Sequence, residues 1–228
     1  MRKQEFLTGV RDELPLLLGV FPFGMIYGVL AIGAGLLPSA AQAMSSVLFA
    51  GSAQFLTAQL AAAGTPWLVM VVTAFIVNLR HALYSASVAP YLRPLSPVWK
   101  GVLAYLLTDE AYAVTITRYQ RGNTLHAHWY FLGAGLTLWT GWQISTALGI
   151  FLGTQVPSSW ALDFSLPLTF IALVVPALKD RPAALAAVTA GITALAANPL
   201  PYKLGIILAA LVGIAAGWIS EVRWSKSG

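Results

Sequence analysis

Long apolar stretches separated by short polar ones fill most of the chain: Leu14 to Leu37, Ala43 to Ala63, Pro66 to Pro90, Val98 to Thr117, Trp129 to Gly153, Ala161 to Leu178, Pro182 to Ala197 and Leu204 to Ile219. Most hold about 17 to 25 residues, enough for a helix to cross a hydrocarbon core about 30 Å thick. In such a core every backbone N–H and C=O needs an internal partner, which a helix supplies. The pattern predicts an all-α, polytopic integral membrane protein with about eight spanning helices in a single domain, 1–228. The seventh stretch is short and alanine-rich, so seven spans remain an alternative.

Composition removes the soluble alternative. Hydrophobic residues make up 58% of the 228 and charged ones only 9%, with a mean hydropathy of +0.75. A soluble domain of this size carries about a quarter charged residues.

Cytoplasmic loops hold an excess of Lys and Arg. With eight spans and a cytoplasmic N-terminus, Arg2, Lys3, Arg11, Arg118, Arg121, Lys179, Arg181, Arg223 and Lys226 fall inside, while Arg93, Lys100 and Lys203 fall outside. Both termini are therefore expected in the cytoplasm. The basic residues are scattered among loops and form no stripe, so the net charge of +5 gives no sign of nucleic-acid binding. Interfacial aromatics follow the same layout, with Tyr91, Trp99, Trp160 and Tyr202 expected at the outer face and Trp129, Tyr130, Trp218 and Trp224 at the inner one. Trp139 and Trp142, midway along the fifth stretch, suit helix packing. Arg2 and Lys3 precede an apolar stretch as in a secretory signal, but that stretch is too long for one and Arg11, Asp12 and Glu13 intervene; it reads as a retained first span.

The chain has no cysteine, which excludes disulfides and thiolate metal ligands. Its three histidines offer no plausible metal set, since His126 and His128 form only a loop pair and His81 is remote from both in sequence. No metal or cofactor is expected. There is also no Gly-x-x-x-x-Gly-Lys-Ser/Thr signature for a nucleotide.

Small residues recur every four positions at Gly205, Ala209, Gly213 and Gly217, at Gly24 and Gly28, at Gly149 and Gly153, and at Ala186, Ala190 and Ala194. Such strips let helix backbones approach closely. Contact within the chain is the ordinary use; the long strip from Gly205 to Gly217 is the best candidate face for a partner helix.

Three polar clusters interrupt the apolar stretches. The first is Phe49-Ala50-Gly51-Ser52-Ala53-Gln54-Phe55. It reads either as a helix interruption exposing backbone groups to a ligand, or as an unbroken helix in which Ser52 bonds one turn back. The second is Asn78-Leu79-Arg80-His81-Ala82-Leu83-Tyr84-Ser85. Helical spacing puts Asn78, His81 and Ser85 on one face and Arg80, Tyr84 and Ser87 on the adjacent one. Asn78 lies eleven residues after Trp67, about 17 Å along a helix, so Arg80 is too deep to reach headgroups easily and needs a partner. The third cluster, Thr108-Asp109-Glu110 with Tyr112 close behind, supplies one: either carboxylate pairs with Arg80, and the other, buried, takes up and releases a proton. Ionisable groups inside a membrane mark substrate or ion pathways, which points to transport.

These motifs carry a family resemblance. Phe21-Pro22-Phe23-Gly24 to Gly28, the Phe49 to Phe55 run, Asn78-Leu79-Arg80-His81 with Leu83-Tyr84-Ser85, Ala89-Pro90-Tyr91 and Leu107-Thr108-Asp109-Glu110 with Tyr112-Ala113 resemble the AzlC family. The likeness continues through Trp129-Tyr130-Phe131-Leu132-Gly133, Asp163-Phe164 with Leu166-Pro167-Leu168, and Pro199-Leu200-Pro201-Tyr202. It implies the large subunit of a two-component exporter of valine, leucine, isoleucine and methionine in the bacterial inner membrane, with a small AzlD-type membrane subunit.

The residues are compatible with that cargo: a substrate carboxylate at Arg80 or at N–H groups freed near Gly51, an ammonium at Asp109 or Glu110, and a branched side chain against Phe23 and Phe55. Gly51, Ser52, Gln54, Asn78, Arg80, His81, Tyr84, Asp109 and Glu110 are the candidate substrate and ion-coupling residues. Without a nucleotide signature, proton-driven secondary export is the expected mechanism. A passive channel or facilitator is the alternative. An intramembrane hydrolase built on Ser52 and His81 lacks the second glycine of Gly-x-Ser-x-Gly and a clear orienting acid, so no enzyme activity is expected.

Overall fold

The polar flank before the first apolar stretch is itself helical. In the computed structural model, which describes residues 2–122, 126–155, 178, 180–200 and 204–225, α1 (Arg2–Glu13) continues through a 3-10 turn at Leu14–Leu16 into α2 (Leu17–Gly33). Pro15 stands in the first turn after α1, where a missing N–H is tolerated. The result is one helix of 32 residues, about 48 Å long, rather than a span beginning at Leu14. It is followed by α3 (Pro38–Val47), α4 (Gly51–Ala62), α5 (Trp67–Val77), α6 (Arg80–Leu92), α7 (Pro97–Tyr105), α8 (Asp109–Gln120), α9 (Ala127–Gln155), α10 (Arg181–Ala196) and α11 (Leu204–Ser225). No strand occurs among the described residues; the protein is all-α.

The chain divides into two units, Met1–Ala62 with Ala74–Ser158, and Ala63–Thr73 with Ser159–Gly228. The first is built on α1–α2 lying along α9. Gly9 faces the backbone of Tyr130, Gly28 that of Thr146 and Ile150, and Gly153 meets Val29 and Ile32, so the two helices run side by side in the same direction. A Cβ at Gly28 would stand 2.5 Å from Thr146 O and Ile150 N, which shows how closely the backbones approach.

The second and fourth apolar stretches are not straight spans. Trp99, at the start of α7, lies with its ring 5.0 Å from those of both His128 and Trp129. Arg118, near the end of α8, lies over the Tyr130 ring at 5.8 Å. Both outer ends of α7–α8 therefore meet the start of α9, while Leu106, at the turn, packs on Gly135. The reversal has a local cause: Thr108 is extended (φ −115°, ψ −179°) and caps α8 by accepting from Ala111 N at 3.5 Å. Asp109 and Glu110 occupy the first turn of α8, where a helix favours negative charge.

The other stretch breaks at Leu48–Ala50, with Ala50 N donating to Leu48 O at 2.7 Å. Gln54 of α4 reaches back to the carbonyls of Leu48 and Ser45, and Phe55 packs on Tyr27. Thus α3–α4 folds back toward the far end of α9. The interrupted reading of the Gly51 segment is the one adopted. The turns of the two arms meet where Tyr105 OH donates to Ser46 O and the Phe49 and Tyr105 rings lie 6.1 Å apart. Between the arms in sequence, α5 and α6 form a pair bent by 44° at Asn78–Leu79.

This corrects the expected layout. Lys100 Nζ donates to Arg93 O at 3.1 Å, and the Tyr91 ring lies 4.8 Å from Tyr119. Arg93, Lys100, Tyr91 and Trp99 therefore share an end with Arg118 and Trp129 instead of facing the opposite side. Among the described residues, α1–α2 and α11 are long and apolar enough to cross a membrane, with α5–α6 a third if the bent pair counts as one.

In the second unit α10 packs on α11. Gly213 faces Ala190 and Ala186, Gly217 faces Ala186, Gly205 faces Ala197, and Ala209 is buried. The Gly205 to Gly217 strip is thus filled from within the chain rather than left for a partner helix, because α10 brings its own alanine strip against it. The sixth stretch up to residue 177, Trp160, Lys179, Tyr202, Lys203, Lys226 and the Trp224 side chain lie outside the described residues.

Candidate functional site

Three helices of the first unit begin at a break: α4 at Gly51, α6 at Arg80 and α8 at Asp109. Ser52, Arg80 and Asp109, at or next to these starts, meet. Arg80 Nη1 lies 2.6 Å from Asp109 Oδ2, and Arg80 Nη2 donates to Ser52 Oγ at 2.8 Å. Tyr84, one turn along α6, donates to Asp109 Oδ1 at 2.6 Å. Both oxygens of Asp109 are thereby engaged, one by a cation and one by a phenol. The ion pair is only half-buried, with side-chain exposures of 34% for Arg80 and 37% for Asp109, so a ligand can reach it.

A layer of aromatics supports these groups. Tyr84 stacks on Tyr112 at 4.5 Å, and Tyr112 OH hydrogen-bonds Ser87 Oγ at 3.0 Å. The His81 ring lies 5.9 Å from that of Tyr84. Helix spacing alone placed Arg80, Tyr84 and Ser87 on one face, and the cross-contacts to Asp109 and Tyr112 all come from it. The adjacent face carries Asn78 and His81, whose Oδ1 and Nε2 are buried without hydrogen-bond partners among the described residues, as is Arg80 Nε. These atoms leave unused hydrogen-bonding capacity beside the ion pair.

Gln54 has a different position. Its amide nitrogen is spent on the α3–α4 turn, and its side chain is fully buried. Gly51 lies against Trp142 and Phe23, where a Cβ would be 3.0 Å from Trp142. Phe23 and Phe55, expected as walls of an apolar pocket, instead pack on each other at 4.5 Å and with Tyr27 and Trp142. A separate apolar cavity of about 310 Å³ adjoins the site, lined by Ser85, Val88, Leu103, Leu107 and Phe131, with Arg93 and Lys100 also at its walls. Leu107 is two residues from Asp109 and Ser85 follows Tyr84.

Glu110 interacts electrostatically with Asp109 and Arg80 without taking the ion pair. Glu13, never marked as a site residue from the sequence, has a fully buried carboxylate. A signal for it existed in the spacing of Gly9 and Glu13, four apart and therefore on one helix face, both of them buried. Among the described residues no group of three or more His, Asp or Glu could hold a metal ion.

The family model described as AzlC protein matches residues 15–156, which include both arms and every residue of the site. The chain belongs to the AzlC family. An uncharacterized membrane protein of Archaeoglobus fulgidus is 32% identical over 222 residues, covering 95% of this chain and 96% of that protein. Inner membrane protein YgaZ of Escherichia coli is 27% identical, covering 93% and 91%. A Bacillus subtilis protein named branched-chain amino acid transport protein AzlC is 26% identical, covering 75% of this chain and 66% of its own length. No solved structure matches. This AzlC-family chain is thus an all-helical membrane protein.

Proposed function

We propose that this AzlC-family protein is a secondary transporter that exports branched-chain amino acids across the bacterial inner membrane, coupled to protons and assembled with a small AzlD-type subunit. The observation that carries the reading is Arg80, held between Asp109 and Ser52 where three helices begin. Helix starts present unpaired N–H groups and the positive end of the helix dipole. Together with a guanidinium they suit the carboxylate of an amino acid, while Asp109 suits its ammonium. The neighbouring 310 Å³ cavity, lined by valine, leucine and phenylalanine, suits a small branched side chain better than the packed Phe23–Phe55 cluster does.

Substrate binding would compete with the Arg80–Asp109 contact. A zwitterion can replace each partner for the other, so opening the pair need not leave either charge alone. The name of the Bacillus subtilis relative, branched-chain amino acid transport protein AzlC, supports branched-chain cargo. The end that gathers Arg2, Lys3, Arg11, Arg93, Lys100, Arg118 and Arg121 is the cytoplasmic one by the positive-inside rule.

Valine flux in proteoliposomes tests the reading, with and without the small subunit and an imposed pH gradient. Flux should require the chain and the subunit and should rise with the gradient. Downhill flux indifferent to pH would make the protein a passive facilitator, and chemically altered valine would make it an enzyme.

A further inference from the structure

Glu13, at the end of α1, plays no part in the site described above. Its side chain is 0% exposed, and neither carboxylate oxygen has a hydrogen-bond partner among the described residues. Glu110 of α8 acts on it electrostatically. α1 runs in the direction of α9 and α8 against it, so the two are antiparallel, and from the Glu5–Arg118 pair at 2.6 Å eight residues along each helix bring Glu13 level with Glu110. Asp109 on α8 and Arg80 on α6 act electrostatically on Glu110, and Glu13 acts on Tyr130 of α9. Asp12 and Arg11 adjoin Glu13 on its own helix. Asp12 is occupied by the Tyr130 hydroxyl at 2.8 Å, and Arg80 by Asp109.

Between α1 and α8, at the arginine-rich end, an open cleft of about 640 Å³ is lined by Arg11, Asp12, Thr117, Arg118 and Tyr130 among others. Glu13 directly follows Asp12 of the cleft wall, and Glu110 directly follows Asp109 of the ion pair. A fully buried carboxylate and a second one acting on it cannot both remain ionised at low cost, and intramembrane carboxylates commonly serve as proton relays.

We propose that Glu13 and Glu110 together carry one proton and pass it, by way of intervening water, between the cleft and the Arg80–Asp109 pair, which makes Glu13 a proton-carrying residue of the transport cycle. The step is proton transfer alone. A proton from water in the cleft goes to Glu13, then to Glu110, then to Asp109. Protonated Asp109 no longer holds Arg80 as an ion pair, which frees the guanidinium for a substrate carboxylate; loss of the proton then lets Asp109 receive the substrate ammonium or, once the substrate has left, restore the pair. The inference rests on the proton-coupled reading given above.

The test uses the chain reconstituted with its small subunit, comparing the wild type with Glu13→Gln and Glu13→Asp. In Glu13→Gln, gradient-driven valine flux should fall by about a hundredfold, while valine–valine exchange without a gradient stays at the wild-type level. Glu13→Asp should recover part of the driven flux. Unchanged driven flux in Glu13→Gln overturns the relay, and so does equal loss of exchange and driven flux, which would mark a structural role. A wild type indifferent to the gradient overturns proton coupling itself. Should Glu13→Gln fail to fold, carbodiimide labelling of the wild type decides: a label on Glu13 or Glu110 at neutral pH that fades at alkaline pH supports the shared proton, and no label on either at any pH overturns it.

Discussion

The arms α3–α4 and α7–α8 share a plan: a short helix enters, the backbone breaks over three residues, and a second helix leaves toward the same end. They differ at the break. In α3–α4 the second helix starts at Gly51, whose missing side chain accommodates Trp142, and its first polar residue is neutral Ser52. In α7–α8 the second helix is capped by Thr108 and opens with two carboxylates, Asp109 and Glu110. A helix can therefore be interrupted at this depth without any charge. The acids of the second arm need another explanation, and Arg80 of α6 supplies it by touching both arms at once.

Substitutions at the breaks test that division between a neutral arm and a charged one. Asp109→Asn should have the largest effect, because it leaves Arg80 without its counter-charge. The two side chains are 34% and 37% exposed, so the loss lies below that of a fully buried pair, at about 2–3 kcal/mol, and valine flux should fall by up to about a hundredfold, measured in proteoliposomes. Ser52→Ala removes one hydrogen bond to a charged donor, worth about 1.5–3 kcal/mol, and flux should fall about tenfold to a hundredfold. Equal losses in the two variants would break the comparison. The smallest effect belongs to the contact between the arms. Tyr105→Phe deletes the donor to Ser46 O and the acceptor for Trp139 Nε1 at 2.7 Å, so stability should fall by about 1 kcal/mol per lost bond, read as a lower unfolding temperature with flux largely kept.

Much of the site was legible in the sequence because charge in an apolar stretch demands a partner. Arg80 had two possible acids, Asp109 and Glu110, and the contact goes to Asp109. The face shared by Arg80, Tyr84 and Ser87 followed from helical spacing and is the face that makes the cross-contacts. The folding back of α7–α8 was not read, since Val98 to Thr117 is long enough for a straight crossing and contains no glycine or proline near its break. Its signal was Thr108 followed by two acids, the pattern of a capped helix start, and that reversal put Arg93, Lys100, Tyr91 and Trp99 at the wrong end. For Phe23 and Phe55 composition marks aromatics as apolar but does not say whether they line a space or fill it, and the two rings pack on each other. Glu13 was set aside as part of a polar flank because the helix boundary was placed one residue after it.

The meeting of three helix starts also bears on membrane voltage. The ionic groups of the site sit at one depth, and a zwitterionic amino acid passing that depth moves no net charge. In the proposed cycle the proton is the only uncompensated charge to cross. Carrying one elementary charge through the full potential is worth about 2.3 kcal/mol per 100 mV, so export should quicken or slow with voltage according to the proton alone, whichever branched side chain is carried.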